Sequence, residues 1–440
     1  MPTLRIIDGT LLTGGPHHQV INGDLYVQDG RITHLGKVPE TADETLDASG
    51  CVVIPGFVQS HIHLCQTLFR GAADDLELLD WLKTRIWKFE AAHTPDSLRV
   101  SAQLAIAEMM SGGTTCAMTM ESVHHTEAAL EVVAETGFRA VVGKCLMDAG
   151  DEVPPGLRET TAQARTESLR LLDAWHGQAG GRIHMAFAPR FVLSCTETLL
   201  REVAALAREK GVRIHTHASE NRDEVALVER LTGRRNLAHL HALGLTGPHV
   251  GIAHCIWLDE TEQELLAETG THVLHCPSSN LKLGSGIAKV VEMLERGISV
   301  SLGADGAPCN NRLDAFTEMR TAALLQKMRC GARKLTALDA FQMATWHGAR
   351  ALGLENEIGS LDVGKAADIA VVTLDTLHAA PHPDPLSALV YAAMASDVRH
   401  VVIAGRVVVR DGALTTLNAA DVQAQARREF TALAVRAGVA

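Results

Sequence analysis

Two histidines separated by one residue, His61 and His63, follow an apolar run at residues 52–58. Alternate residues of an extended strand share a face. The two imidazoles are therefore expected to point the same way about 7 Å apart, able to converge on one divalent cation at about 2.1 Å from each nitrogen. In a chain with 22 histidines one His-x-His pair is an ordinary coincidence. The pattern recurs, however. His215-Thr216-His217 ends a second apolar run and leads into Glu220, with either imidazole placed to ligate; His254 ends a third run; Asp305 stands at the tip of a fourth, residues 300–306. Imidazoles with carboxylates are the donor set of a hydrolytic metal centre. Zn²⁺ suits them best, with Fe²⁺ and Mn²⁺ as alternatives, and such an ion turns water into a nucleophile at neutral pH.

The elements that must position these groups can be read around them. Strand-like runs occur at residues 52–58, 114–120, 140–147, 183–188, 212–217, 250–255, 272–276 and 298–304, alternating with longer segments of helical period such as 198–210. Eight βα units are the stoichiometry of an α/β fold of the closed (β/α)₈ TIM-barrel kind, whose catalytic groups sit at the carboxyl ends of the strands. An open doubly wound sheet is the architectural alternative, but no Gly-x-Gly-x-x-Gly follows an early strand to support it. Taken singly, each His or Asp reads as a satisfied interior histidine or a helix-capping aspartate. Taken together, four strand ends with ligand-type residues in one barrel crowd polar groups to no structural benefit.

The chain ends read differently. Residues 25–28 and 31–35 flank the turn pair Asp29-Gly30, and residues 401–403 and 406–409 flank Ala404-Gly405, with a further Asp411-Gly412. These are hairpins that can share one sheet. The expected division is 1–54 and 355–440 for a flanking β-domain with a terminal helix, and 55–354 for the barrel.

Composition narrows the function. A 440-residue chain with 46% hydrophobic residues and a net charge of −12 is a poor partner for nucleic acid, which requires clustered cations. A small substrate without strong negative charge fits better. The start of the chain carries neither a signal-peptide pattern nor a membrane span, so a cytoplasmic address is expected. Nine cysteines without a Cys-x-x-Cys pair read as buried free thiols. His125-Thr126-Glu127 has the His-x-Glu of cytidine-type deaminases, but Pro308-Cys309 lacks the second cysteine that chemistry needs. The metalloprotease His-Glu-x-x-His and the P-loop are also missing.

Several stretches resemble the amidohydrolase superfamily, in the branch that holds S-adenosylhomocysteine, methylthioadenosine and 5′-deoxyadenosine deaminases and the triazine hydrolases. They are Pro55-Gly56-Phe57 before His61-x-His63, His217-x-x-Glu220, residues 253–258, residues 276–283 and residues 302–307. The resemblance implies a (β/α)₈ barrel with a β-sandwich built from both chain ends, and residues 359–368 are similar to the return into that sandwich. It makes His217 rather than His215 a metal ligand, alongside His61, His63 and Asp305. It implies that Glu220 shuttles a proton to the purine ring, that Asp305 carries the water proton to the leaving amine, and that His254 orients the water or polarises developing charge. Relatives are commonly homo-oligomers.

The resemblance also bears on substrate. Glu90 matches a carboxylate that binds ribose hydroxyls, and Trp81 a residue beside the substrate's outer part. Deaminases that take the amino-acid tail of S-adenosylhomocysteine carry Arg where this chain has Lys144 and His where it has Arg190. Lys cannot reproduce the planar two-point grip on a carboxylate, although Arg158 stands as another partner for it. The expected substrate is an adenine nucleoside, 5′-deoxyadenosine or methylthioadenosine ahead of S-adenosylhomocysteine and adenosine. A triazine chlorohydrolase or aminohydrolase and a catalytically inactive scaffold are the competing readings. His124, His125 and His347 read as loop or packing residues, and Asn280 and Lys282 receive no role.

Overall fold

Eight parallel strands follow one another around a barrel in the computed structural model, which describes residues 2–439. Five strands precede the barrel: β1 (Leu4–Leu12), β2 (Val20–Gln28), β3 (Arg31–Gly36), β4 (Glu44–Asp47) and β5 (Cys51–Pro55). The barrel strands are β6 (Phe57–Ile62), β7 (Thr114–Met120), β8 (Arg139–Leu146), β9 (Ile183–Pro189), β10 (Arg213–Ala218), β11 (Val250–His254), β12 (His272–His275) and β13 (Val300–Leu302). Inward side chains of six of them, Val58, Cys116, Met118, Val141, Ala186, Ala253 and Leu274, pack into one apolar plug. That plug fills the barrel beneath the strand ends and leaves the polar groups above it.

The seam between β6 and β13 is closed by several bonds. Asp305 N–H donates to the His61 carbonyl at 3.0 Å, Ser60 Oγ to the Leu302 carbonyl at 2.9 Å, and Ala304 N–H to Gln59 Oε1 at 2.9 Å. Gly303 lies so close to β6 that a Cβ there would fall 2.7 Å from the His61 backbone.

The first apolar run divides in a way that hydrophobicity alone does not reveal. Residues 52–58 read as one barrel strand, but β5 pairs with β1 and with β14 (Ile369–Thr373) in the flanking sheet, and only β6 enters the barrel. Both halves are fully buried, so no change of pattern marks the break. Gly56 makes the crossing: a Cβ there would sit 2.2 Å from Thr115, so only glycine fits between the two sheets.

The remaining strands are β15 (Val398–Ile403), β16 (Arg406–Arg410) and β17 (Ala413–Leu414). Together with β1–β5 and β14 they form one nine-stranded sheet drawn from both chain ends. The hairpins at Asp29-Gly30 and Ala404-Gly405 lie where the sequence places them. Gly405 packs on Gly30, so the two arms of the sheet meet around a core that includes Ile6, Leu25, Ile32, Val53, Ile369 and Val402.

One buried ion pair ties this sheet to the barrel. Arg139, at the start of β8, holds Asp368 bidentately through Nε at 2.8 Å and an Nη at 3.0 Å. Asp368 also accepts the Ala404 N–H at 2.8 Å, and its carbonyl accepts Gly56 N–H at 2.9 Å. Removing one partner of such a pair strands the other in a dry interior, at a cost of about 3–5 kcal/mol. Asp368→Ala is therefore expected to lose about that much stability in urea unfolding, whereas the double replacement Arg139→Met/Asp368→Leu should lose clearly less.

Candidate metal centre and substrate cavity

His61 and His63 project from the end of β6, with ring centroids 4.9 Å apart. His217, one residue before the end of β10, brings its ring to 4.7 Å from His61 and stacks on His63 at 5.5 Å. Asp305 follows β13 in the left-handed backbone region at φ 62°. This turn aims its carboxylate back over β6: Oδ1 lies 3.2 Å from His61 Nε2 and 3.3 Å from His63 Nε2. One donor atom from each of His61, His63 and His217 lies within 4.8 Å of the others, and the same holds for His61, His254 and Asp305.

Hydrogen bonds at the far side of each ring decide what the near side can do. His63 Nδ1 meets the Met120 carbonyl at 2.8 Å and His217 Nδ1 meets the Arg190 carbonyl at 2.8 Å. A carbonyl only accepts, so both Nδ1 atoms carry the proton and both Nε2 atoms turn lone pairs inward. His61 Nδ1 contacts His215 Nε2 at 2.6 Å, and His61 Nε2 has no hydrogen-bond partner among the described residues. A bare His63 Nε2 facing the Asp305 carboxylate oxygen at 3.3 Å repels it unless a cation lies between them. The residues therefore fit a divalent metal, with outer partners of the kind that hold metal-ligating histidines. Burial pushes His61 down to about 4 and His217 well below the usual imidazole range. Burial alone would raise Asp305, but His61 and its neighbours hold its carboxyl well below the usual carboxylate range.

Glu220 follows His217 across a tight turn in which Ser219 takes φ 55°. Its Oε2 lies 3.3 Å from His254 Nε2, which is 3.8 Å from Asp305 Oδ2. His254 Nδ1 bonds Asn280 Oδ1 at 2.9 Å, so the residue after the seventh barrel strand orients this ring. Ser279 donates to Asp305 Oδ2 at 2.7 Å. Burial, then the charges of Asp305 and Glu224, push Glu220 well above the usual carboxylate range. Glu224 accepts the Glu220 N–H at 2.8 Å and closes the capping box of the helix Arg222–Thr232. The sequence signal for Glu224 was the Asn-x-x-Glu of that box.

A cavity opens above these groups, lined by His63, His217, Glu220, Glu224, His254 and Asp305 at its base. Leu78, Trp81, Leu82 and Phe191 form its apolar outer wall, with Gln66 and Arg190 between. Trp81 and Arg190, two of the expected substrate contacts, thus line this cavity. Glu90 does not line the cavity. It is buried behind Arg190, which grips it at 2.6 and 3.2 Å, and it accepts from Gln66 at 2.8 Å. Lys144 and Arg158 are not brought into this cavity either. They line a separate cleft with His124 and Glu167, and Lys144 is bound to Glu159 at 2.6 Å. His125 takes the left-handed position before the helix Thr126–Thr136, and His347 bonds the Val300 carbonyl at 3.0 Å. Lys282 ties surface loops through Asp74 and the Pro308 carbonyl.

The amidohydrolase family model matches residues 52–408, which takes in all eight barrel strands and the whole cluster. The chain belongs to the amidohydrolase family. It is 41% identical over 398 residues to a 5′-deoxyadenosine deaminase of Methanothermobacter thermautotrophicus, covering 90% of this chain and 91% of that one. It is likewise 41% identical over 435 residues to a 5-methylthioadenosine/S-adenosylhomocysteine deaminase of Syntrophobacter fumaroxidans, covering 96% and 97%. An adenosine deaminase from Xanthomonas campestris, solved with bound zinc, superposes with a TM-score of 0.93 at 35% identity over 98% of both chains. This amidohydrolase is a hydrolytic deaminase acting on C–N bonds. Among its described residues no helix is long and apolar enough to cross a membrane.

His215 matters here in a way its sequence position does not announce, since it orients His61 from behind. Replacing it with Phe keeps the ring and removes the bond, and the loss of such an outer partner costs about 10–100-fold in metal affinity. Chelator competition against zinc should show this loss, and an unchanged affinity would mean that His61 is oriented without His215.

Proposed function

We propose that this enzyme hydrolyses the exocyclic amine of an adenine nucleoside, giving the hypoxanthine nucleoside and ammonia. The observation that carries the reading is the facing pair at the base of the cavity: a cluster of imidazole nitrogens with Asp305, held low by them, on one side, and Glu220, raised by burial, on the other. Attack on C6 of an aminopurine requires a proton for ring N1 at the moment the ring loses aromaticity, and a protonated carboxyl supplies it. His61, His63, His217 and Asp305 would hold one divalent metal, with zinc favoured by three imidazoles and a carboxylate and Fe²⁺ or Mn²⁺ as alternatives. Bound there, the ion acidifies a water and provides a nucleophile at neutral pH.

The protein groups divide the proton work. Asp305 takes a proton from the attacking water while Glu220 gives its own to N1. His254, fixed by Asn280, accepts from the water through Nε2 and orients it. Asp305 then passes its proton to the amine, ammonia leaves, and the C6 hydroxyl returns a proton to Glu220 as the carbonyl forms. Water and nucleoside are consumed, and every protein group ends as it began.

The favoured substrates are 5′-deoxyadenosine and methylthioadenosine, with adenosine and S-adenosylhomocysteine behind them. The outer wall next to Trp81 is apolar, and Lys144 is neutralised by Glu159, so a charged 5′ tail gains little. The Glu90–Arg190 pair is assigned to the ribose side, Arg190 facing the ligand and Glu90 holding it in place. Nine free cysteines, eight of them buried, suit a reducing cytoplasm.

Ultraviolet assay of the zinc-loaded enzyme on these four nucleosides should show adenine-to-hypoxanthine conversion, with kcat/KM for the two uncharged 5′ substituents above that for S-adenosylhomocysteine. A preference for the charged tail would overturn the 5′ assignment. Glu220→Gln should lower kcat by about a hundredfold or more with KM nearly unchanged. Glu90→Gln should reduce turnover of a nucleoside far more than that of a chlorotriazine, which has no sugar, and equal losses would remove the ribose role.

A further inference from the structure

Glu318 lies in the first turn of the helix Ala315–Cys330, away from the cavity lining, with 1% of its surface exposed. Its carboxylate joins two loops. Oε2 accepts the Ser278 N–H at 3.2 Å, and Oε1 accepts from Asn310 Nδ2 at 2.9 Å. The same Asn310 nitrogen donates to the Ala304 carbonyl at 2.7 Å. Ala304 is the residue before the left-handed turn of Asp305, and Gln59 holds its N–H. Ser278 lies at the start of the helix Pro277–Lys282, whose next two residues grip the site: Ser279 donates to Asp305 Oδ2 at 2.7 Å, and Asn280 bonds His254 Nδ1 at 2.9 Å. The backbone and the side chain of Asp305 are thus supported by two loops that meet at one buried acid.

Burial pushes the Glu318 carboxyl up to about 7, so an ionisable group is kept here at a cost in free energy. Capping its own helix does not call for it. Asp314 already fills that role, accepting the Phe316 N–H at 3.0 Å. The partner set does call for a carboxylate, because both partners are donors. Ser278 presents a backbone N–H, and Asn310 must turn its NH₂ group this way, since that group also reaches the Ala304 carbonyl, which only accepts. An amide in place of Glu318 would carry one acceptor and one NH₂ group, and would leave one of the two loops facing a donor. We infer that Glu318 is a positioning residue for Asp305: it fixes the Ala304 carbonyl through Asn310 and the Ser279 hydroxyl through the start of its helix, and so keeps the Asp305 carboxylate aimed at His61 and His63. This rests on the reading of Asp305 as a metal ligand, and extends the site to a residue that touches neither the substrate cavity nor a ligand atom.

The test measures zinc affinity by chelator competition for the wild type, Glu318→Gln, Asn310→Ala and Asp305→Ala, together with the thermal midpoint of each zinc-free protein and kcat and KM on 5′-deoxyadenosine at saturating zinc. Loss of a partner that orients a metal ligand costs about 10–100-fold in metal affinity. Glu318→Gln is expected to weaken zinc binding by about tenfold or more and to lower kcat with KM nearly unchanged. Asn310→Ala, at a half-buried position, should move both quantities in the same direction with a smaller change in midpoint, and it decides the matter alone if Glu318→Gln does not fold. A residue that merely supports its helix would lower the midpoint and leave zinc affinity and kcat at wild-type values, and that result overturns the inference. Asp305→Ala separates the two readings. If it binds zinc as tightly as the wild type, the ligand reading falls and this inference with it; if it loses zinc while the other two variants do not, the positioning role alone falls.

Discussion

The hydrogen bond from Asp305 N–H to the His61 carbonyl joins the two ends of the barrel and brings candidate metal ligands together in one act. Asp305 and His61 come from the last and first barrel strands, 244 positions apart in the chain. A parallel seam offers no hairpin turn to set its register. Register is set instead by Gly303 pressed on the His61 backbone and by the Gln59 and Ser60 side chains reaching across to β13. A slip of one residue would turn Asp305 away from the imidazoles and the Val58 side chain out of the apolar plug. Closure and ligand geometry therefore stand or fall together.

Above the seam, burial raises two neighbouring acids alike and their surroundings separate them. Asp305 and Glu220 are both buried carboxyls, yet the imidazoles around the first hold it low against burial, while burial and then the charges of Asp305 and Glu224 raise the second. Two acids with pKa values driven apart by their surroundings can take and give protons within one turnover. The outer shell keeps the arrangement rigid: main-chain carbonyls hold His63 and His217, side chains hold His61, His254 and Asp305.

Much of this was legible in the residues. The barrel followed from eight apolar runs at strand spacing, and the His and Asp residues gathered at strand ends marked the candidate site, with the choice of His217 over His215 supplied by the resemblance. The hairpins of both termini were marked by their turn pairs. What escaped did so for physical reasons. The join of β5 and β6 lies inside an uninterrupted apolar run, and only the contact between Gly56 and Thr115 separates the two sheets. Lys144 has the reach to bind a carboxylate, but its partner is Glu159, fifteen positions on. Glu90 was expected against the substrate; Arg190, a hundred residues away, stands in front of it. Pairing between distant charged side chains leaves no periodic trace, so such positions became clear only in three dimensions. Gln66 and Asn280 belong to the same class, polar residues whose meaning lies in a partner far along the chain.

Arg190 touches both halves of the site, and it does so with different atoms. Its carbonyl fixes His217, while its guanidinium shapes the cavity wall. Every amino acid has the carbonyl, so the hold on His217 does not depend on which side chain stands at this position. Met120 holds His63 in the same manner. A scaffold wired in this way separates what must be kept from what can drift.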